Sequence, residues 1–139
     1  MKKELYGTNV PIDLYNTDIA VVWGDKEKAK IYTDYIPPNR EGVIDDNVMG
    51  WCNVRDDGRL YVYLGTSLKN YHTIVHELTH AILFTTHQLG IMVSDEPCEH
   101  ETTTYLFGYV IGSVLETKKK KWWIWRGNKK FEPKWIKQK

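Results

Sequence analysis

Apolar residues recur along the 139-residue chain in three different rhythms. The first is an unbroken β-branched run, Asp18-Ile19-Ala20-Val21-Val22-Trp23, closed by Gly24, which predicts a buried strand. The second is an alternation in which Leu60, Val62 and Leu64 interleave with Tyr61 and Tyr63. Together with residues 48–54 and the turn signal Asp57-Gly58, it predicts a β-hairpin. The third is helical. Neither Gly nor Pro occurs between Gly65 and Gly90, and Ile74, Leu78, Ala81, Ile82 and Thr85 recur at helical spacing. Ser67 or Asn70 would cap that helix, since a short side-chain oxygen accepts the orphan N–H groups of a first turn.

A second long helix is predicted from Ser94 or Asp95 to about Glu116, with Pro97 tolerated in its first turn. A shorter one spans residues 26–35, where Ala29 is spaced among Lys and Glu and Pro37-Pro38 stops the run. The order is a strand-rich half (1–66), two helices (67–117), then a Trp-rich strand or hairpin (118–139). That is an α+β pattern in one domain, 1–139.

Composition removes several alternatives. With 42% hydrophobic and 27% charged residues, the chain is neither disordered nor fibrous. No apolar run reaches the length of a membrane span, and no apolar stretch follows the basic Met1-Lys2-Lys3, so a cytoplasmic location is expected. Cys52 and Cys98 form no CxxC pair, which excludes a disulfide scaffold or zinc ribbon; both read as buried small residues. Charge is divided unevenly. Residues 118–139 hold nine Lys and one Arg against a single Glu, a local +9, so the preceding 117 residues carry −8.

The chemistry concentrates in His76-Glu77-Leu78-Thr79-His80. Residues four apart on a helix stand roughly 40° apart on successive turns, so both imidazoles can reach one metal ion. Glu77 projects beside the pair and can address a water without being a ligand. Two neutral nitrogen donors and a carboxylate base are what zinc-assisted hydrolysis needs. His72 forms a second i, i+4 pair with His76, but it lies about 12 Å along the axis from His80, so one ion cannot take all three. His72 therefore reads as a surface or supporting residue.

Catalytic zinc takes a third protein ligand. The extended form HExxHxxGxxH needs Gly where Leu83 stands and His where Thr86 stands, which excludes that class. Glu96, Glu99, His100 and Glu101 remain as candidates on the next helix. Glu101 is preferred because Tyr105, Gly108 and Gly112 share its stripe, and small residues would let the helix approach its neighbour closely. Glu99 instead shares the spacing of Leu106, Val110 and Val114, an ordinary core face.

His76-Glu77-Leu78-Thr79-His80-Ala81, a spacer of some twenty residues and Glu101-Thr102-Thr103-Thr104-Tyr105-Leu106-Phe107-Gly108-Tyr109 resemble the small phage-type HExxH zincins. More broadly they resemble minimal gluzincins, over about residues 48–116. The resemblance implies a small antiparallel or mixed sheet packed on an active-site helix and a second, glutamate-bearing helix. It implies Zn2+ held by His76, His80 and Glu101, with Glu77 as general base in hydrolysis of a polypeptide. It also implies a sheet edge, expected at Leu60–Leu64, along which an extended substrate lies. Two features depart from the larger gluzincins: Tyr105 stands where they carry an Asp, and no residue is assigned to the oxyanion, for which Tyr71, His72, His87 and Tyr109 are candidates.

Two other readings stay open: a non-catalytic protein that keeps the metal as a clip, and a binding module using the basic tail. Cations interleaved with Trp122, Trp123, Trp125 and Trp135 could engage nucleic acid or an anionic membrane surface. The favoured reading of the tail is a hairpin turning at Gly127-Asn128, with one aromatic face packed on the core.

Overall fold

The computed structural model describes residues 4–12, 17–37, 47–90, 101–116, 122–126 and 129–130. Among them the chain runs β1 (Glu4–Ile12), β2 (Thr17–Gly24), α1 (Lys26–Thr33), β3 (Trp51–Val54), β4 (Leu60–Tyr63), α2 (Tyr71–Gln88), α3 (Glu101–Glu116), β5 (Trp122–Arg126) and β6 (Lys129–Lys130). The strands form one mixed sheet in the order β3-β4-β2-β1-β5-β6. Only β2 and β4 pair in parallel. A parallel pair cannot be joined by a tight turn. The chain therefore crosses over through α1, descends as β3, and turns back into β4. The fold is α+β with helices on both faces of the sheet.

β2 explains the two-sided cover. Ile19, Val21 and Trp23 pack with Ile74, Leu78, Ala81 and Ile82 of α2 and with Leu106, Val110 and Val114 of α3. Ala20 and Val22 point the other way, into a cluster with Ala29 and Tyr32 of α1. A strand buried on both faces reads as a continuous apolar run, which is why its sequence shows no alternation. β4 divides likewise: Leu60 and Val62 face α2, while Tyr61 and Tyr63 face α1. The Tyr63 hydroxyl donates to the Gly24 carbonyl at 2.7 Å, so its burial leaves no stranded polar atom.

The hairpin turns as its sequence predicts. Gly58 adopts φ +78°, its N–H donates to the Arg55 carbonyl, and the Arg55 N–H donates to the Arg59 carbonyl. This is a three-residue connection that ends on a left-handed glycine. Arg59, almost fully buried, meets Asp18 at 3.2 Å and ties the hairpin to the start of β2.

Several expectations are corrected. Among the described strands the edges are β3 and β6; β4 lies between β3 and β2, so Leu60–Leu64 is interior. α1 stops at Thr33, before the prolines, because Asp34 turns left-handed (φ 56°) and its N–H caps the carbonyls of Lys30 and Ile31. β1 is a strand for which the apolar pattern gave no signal, since Gly7 and Pro11 interrupt it. Gly7 is required there: a Cβ would sit 2.3 Å from Ile124 Cδ1. The start of the second long helix at residue 94 or 95 lies outside the described residues, which show it from Glu101 to Glu116.

The tail enters the sheet. β5 pairs antiparallel with β1 and β6 with β5, joining across residues 127 and 128. Ile124 is 0% exposed and Trp125 packs against the α1-side cluster. Trp123 is 46% exposed, but the Arg126 guanidinium stands 4.5 Å from its ring. Lys28 and Lys130 likewise cover Trp125. The Trp-rich strand is present as β5, paired antiparallel with β6; the expected turn at Gly127-Asn128, Lys118–Lys121 and Trp135 lie outside the described residues. No helix among the described residues is long and apolar enough to cross a membrane.

If the tail is a structural strand, Ile124→Ala should cost about 2–5 kcal/mol, as other large-to-small core changes do. Urea denaturation would show it as a lower midpoint at unchanged slope.

Candidate metal centre

Helix α2 places the site. Asn70 caps it, its side chain accepting from the Thr73 N–H at 3.2 Å. The buried side carries Ile74, Leu78, Ala81 and Ile82, and that packing fixes the helix rotation. His76 and His80 consequently stand exposed, while Glu77 is only 8% exposed. The two imidazole rings are 4.9 Å apart and nearly perpendicular. The potential ligand atoms of His76, Glu77 and His80 all lie within 4.8 Å of one another.

This donor set suits a divalent ion. Two nitrogens on one tetrahedral zinc stand about 3.3 Å apart, given bonds of about 2.0–2.1 Å. Exposed imidazoles can close the remaining distance by small rotations within their staggered wells. Glu77 differs from them in its surroundings. Burial holds its carboxyl above the usual carboxylate range, while positive charge on His76 and His80 pulls the other way. A carboxylate with raised pKa, held beside two imidazoles that could hold a metal, has surroundings that suit a general base.

What covers Glu77 is the edge strand. A Cβ on Gly50 would lie 2.6 Å from the Tyr63 carbonyl oxygen, 2.9 Å from Glu77 Cγ and 3.0 Å from Thr73 Cγ2, so the absence of a side chain there lets the chain before β3 pass close to both β4 and α2. Cys52 follows on the same face, packed on the α2-side core, with its thiol pushed up to about 12 by burial and by the Glu77 charge. It is held as a neutral thiol.

The hydrogen-bond phase of β3 is set by the turn. Arg55 bonds Arg59, so Asn53 opposite Tyr61 and Trp51 opposite Tyr63 form the bonded pairs. Cys52 and Val54 therefore direct their backbone N–H and C=O groups away from β4, along the open edge.

The other sequence candidates separate as follows. His72 is exposed with its ring 6.0 Å from that of His76, and it lies outside the converging group. The Tyr109 hydroxyl donates to the Pro11 carbonyl, a structural contact between α3 and β1. His87 lies in the last turn of α2, about 16 Å along the axis from His76. Tyr71 is exposed in the first turn.

The facial reason for preferring Glu101 is overturned. Tyr105 is 66% exposed, and a Cβ added at Gly108 or Gly112 would meet nothing within 4 Å. That stripe faces away from α2, and the buried face of α3 is Thr103, Leu106, Val110 and Val114. Glu101 opens α3, but its side chain, like Glu96, Cys98, Glu99 and His100, lies outside what is described. Sequence reasoning passed over Gly50 and the role of β3. The only local signal was a glycine directly before the strand.

No protein-family model, curated protein or solved structure matches the chain.

Because the Cys52 thiol titrates near 12 rather than its ordinary 9.0, its thiolate fraction at pH 8 falls about a thousandfold. Site-resolved mass spectrometry should find Cys52 resistant to iodoacetamide at pH 8 in the folded protein and labelled once urea is added.

Proposed function

We propose that the chain is a zinc-dependent hydrolase that cleaves peptide bonds. The observation that carries this reading is the convergence of His76, Glu77 and His80, with the carboxylate sunk beside an open strand edge and the imidazoles exposed. His76 and His80 supply two ligands. The resemblance implies Glu101 as the third, although the stripe it begins on α3 faces away from α2; Glu96, Glu99 and His100 are the alternatives, and Glu99 shares the spacing of the buried face of α3. When bound, zinc supplies a Lewis acid and makes a nearby water more acidic.

The remaining steps belong to the chain's own groups. An extended polypeptide adds to the open edge of β3, pairing with the N–H and C=O groups of Cys52 and Val54. That pairing would lay its backbone across the mouth of the groove in which Glu77 sits. Glu77 accepts the proton of the attacking water and passes it to the leaving amine. Its partial burial keeps bulk water from competing for the carboxylate. Cys52, held neutral, is no nucleophile at physiological pH.

Glu77→Gln should lower kcat by about 10²–10⁴-fold on a mixed peptide library. Its zinc content by mass spectrometry should match wild type, whereas His76→Ala and His80→Ala should lose zinc. Cleavage that survives the glutamine would overturn the general-base role, and a zinc-loaded wild type that cuts nothing would leave the metal as a clip. Glu101→Gln should reduce zinc content where Glu99→Gln does not; the reverse result moves the third ligand to Glu99.

A further inference from the structure

Glu77, Phe84 and Gln88 stand at i, i+7 and i+11 on α2, within about 20° of one line down the helix. Facing them, Cys52 and Val54 alternate along β3, and Gly50 directly precedes it. A cavity of about 310 Å³ lies at the Val54 end of this helix–strand seam, and Glu77 lies at the Gly50 end. Val54, Leu60, Phe84 and Leu89 supply its apolar wall, and Arg59 and Asp18, joined at 3.2 Å, also line it. Phe84 and Val54 are exposed, at 37% and 41%. Both edge this one concavity.

The geometry points to a distal specificity pocket that receives a bulky apolar side chain of the polypeptide laid along β3. The inference rests on the reading of the groove as a peptide cleft. Its register follows from element geometry. Gly50 to Val54 is four residues of strand, about 13 Å, and Glu77 to Phe84 is about 10 Å of helix. An extended substrate whose scissile bond lies at Glu77 therefore delivers to the cavity the side chain about four residues away. The occupant is apolar because Val54, Leu60, Phe84 and Leu89 form the cavity's apolar wall, and Arg59 and Asp18 are paired with each other at 3.2 Å. Phe84 and Val54 offer apolar surface that an aromatic or branched side chain would take out of water.

The test separates this pocket from catalysis. Full-length protein is titrated with N-acetyl-phenylalanine amide and, separately, N-acetyl-lysine amide, and amide chemical shifts are followed by NMR. The phenylalanine probe should move amides in residues 54–60 and 84–89, and the lysine probe should not. Phe84→Ser should weaken phenylalanine binding at least about tenfold, as removal of a pocket's apolar wall does. Val54→Asn, at an exposed position, serves as the second variant should the first fold poorly. Shifts that fall elsewhere, fail to appear, or persist in both folded variants would overturn the pocket. In peptide-library cleavage, wild type should favour Phe, Leu or Ile about four residues from the cut, and Phe84→Ser should lose that preference. A protein that binds the probe but cleaves nothing would refute the hydrolase and keep the pocket.

Discussion

The two-sided burial of β2 is the constraint from which the rest of the architecture follows. A strand with Ile19, Val21 and Trp23 on one face and Ala20 and Val22 on the other needs cover above and below. α1 supplies one layer, and α2 with α3 supplies the other. Because β4 pairs with β2 in parallel, the chain must pass over the sheet before returning, and α1 is the passage. The return leaves β3 outside β4, with one side of its backbone ladder open. The apolar stripe of α2 then docks against β2 and β4, and its rotation is settled.

That rotation sorts the side chains of the candidate centre by environment. Leu78 and Ala81 are committed to the core, so His76 and His80 must leave it, and Glu77 falls on the border beside β3. A carboxylate and two imidazoles within 4.8 Å of one another thereby occupy different dielectric surroundings. Gly50 completes the arrangement by removing the side chain that would hold helix and strand apart. Local packing, more than any dedicated loop, generates the asymmetry that acid–base chemistry uses.

How much of this was legible in the sequence follows from the range of each signal. β2, the hairpin turning at Gly58, the Asn70 cap and the His-Glu-His face of α2 all depend on neighbours a few residues apart, and all were readable. The Trp-rich strand was readable too, since apolar Ile124 sits between tryptophans. Strand order depends on contacts distant in sequence, and the edge was accordingly assigned to the wrong arm of the hairpin. β1 was hidden by Gly7, whose purpose is visible only once Ile124 of β5 is placed against it. Gly108 and Gly112 misled in the opposite sense. Small residues at helical spacing were read as a close approach, yet that side of α3 faces open space. A glycine reports that a side chain is missing; only the surrounding structure says whether anything takes its place.

The pairing of β1 with β5 has a consequence for how the molecule is made. Tyr6 lies beside Trp123 and Leu5 beside Trp125, so β1 waits for a strand far along the chain. Until β5 arrives, the flank of β1 is a bare template, and the hollow at Gly7 is unfilled. Closure of the sheet thus waits on a contact between chain-distant strands. Chain-distant pairing of this kind slows folding, and it lengthens the interval in which a nascent molecule can capture a stray strand from a neighbour.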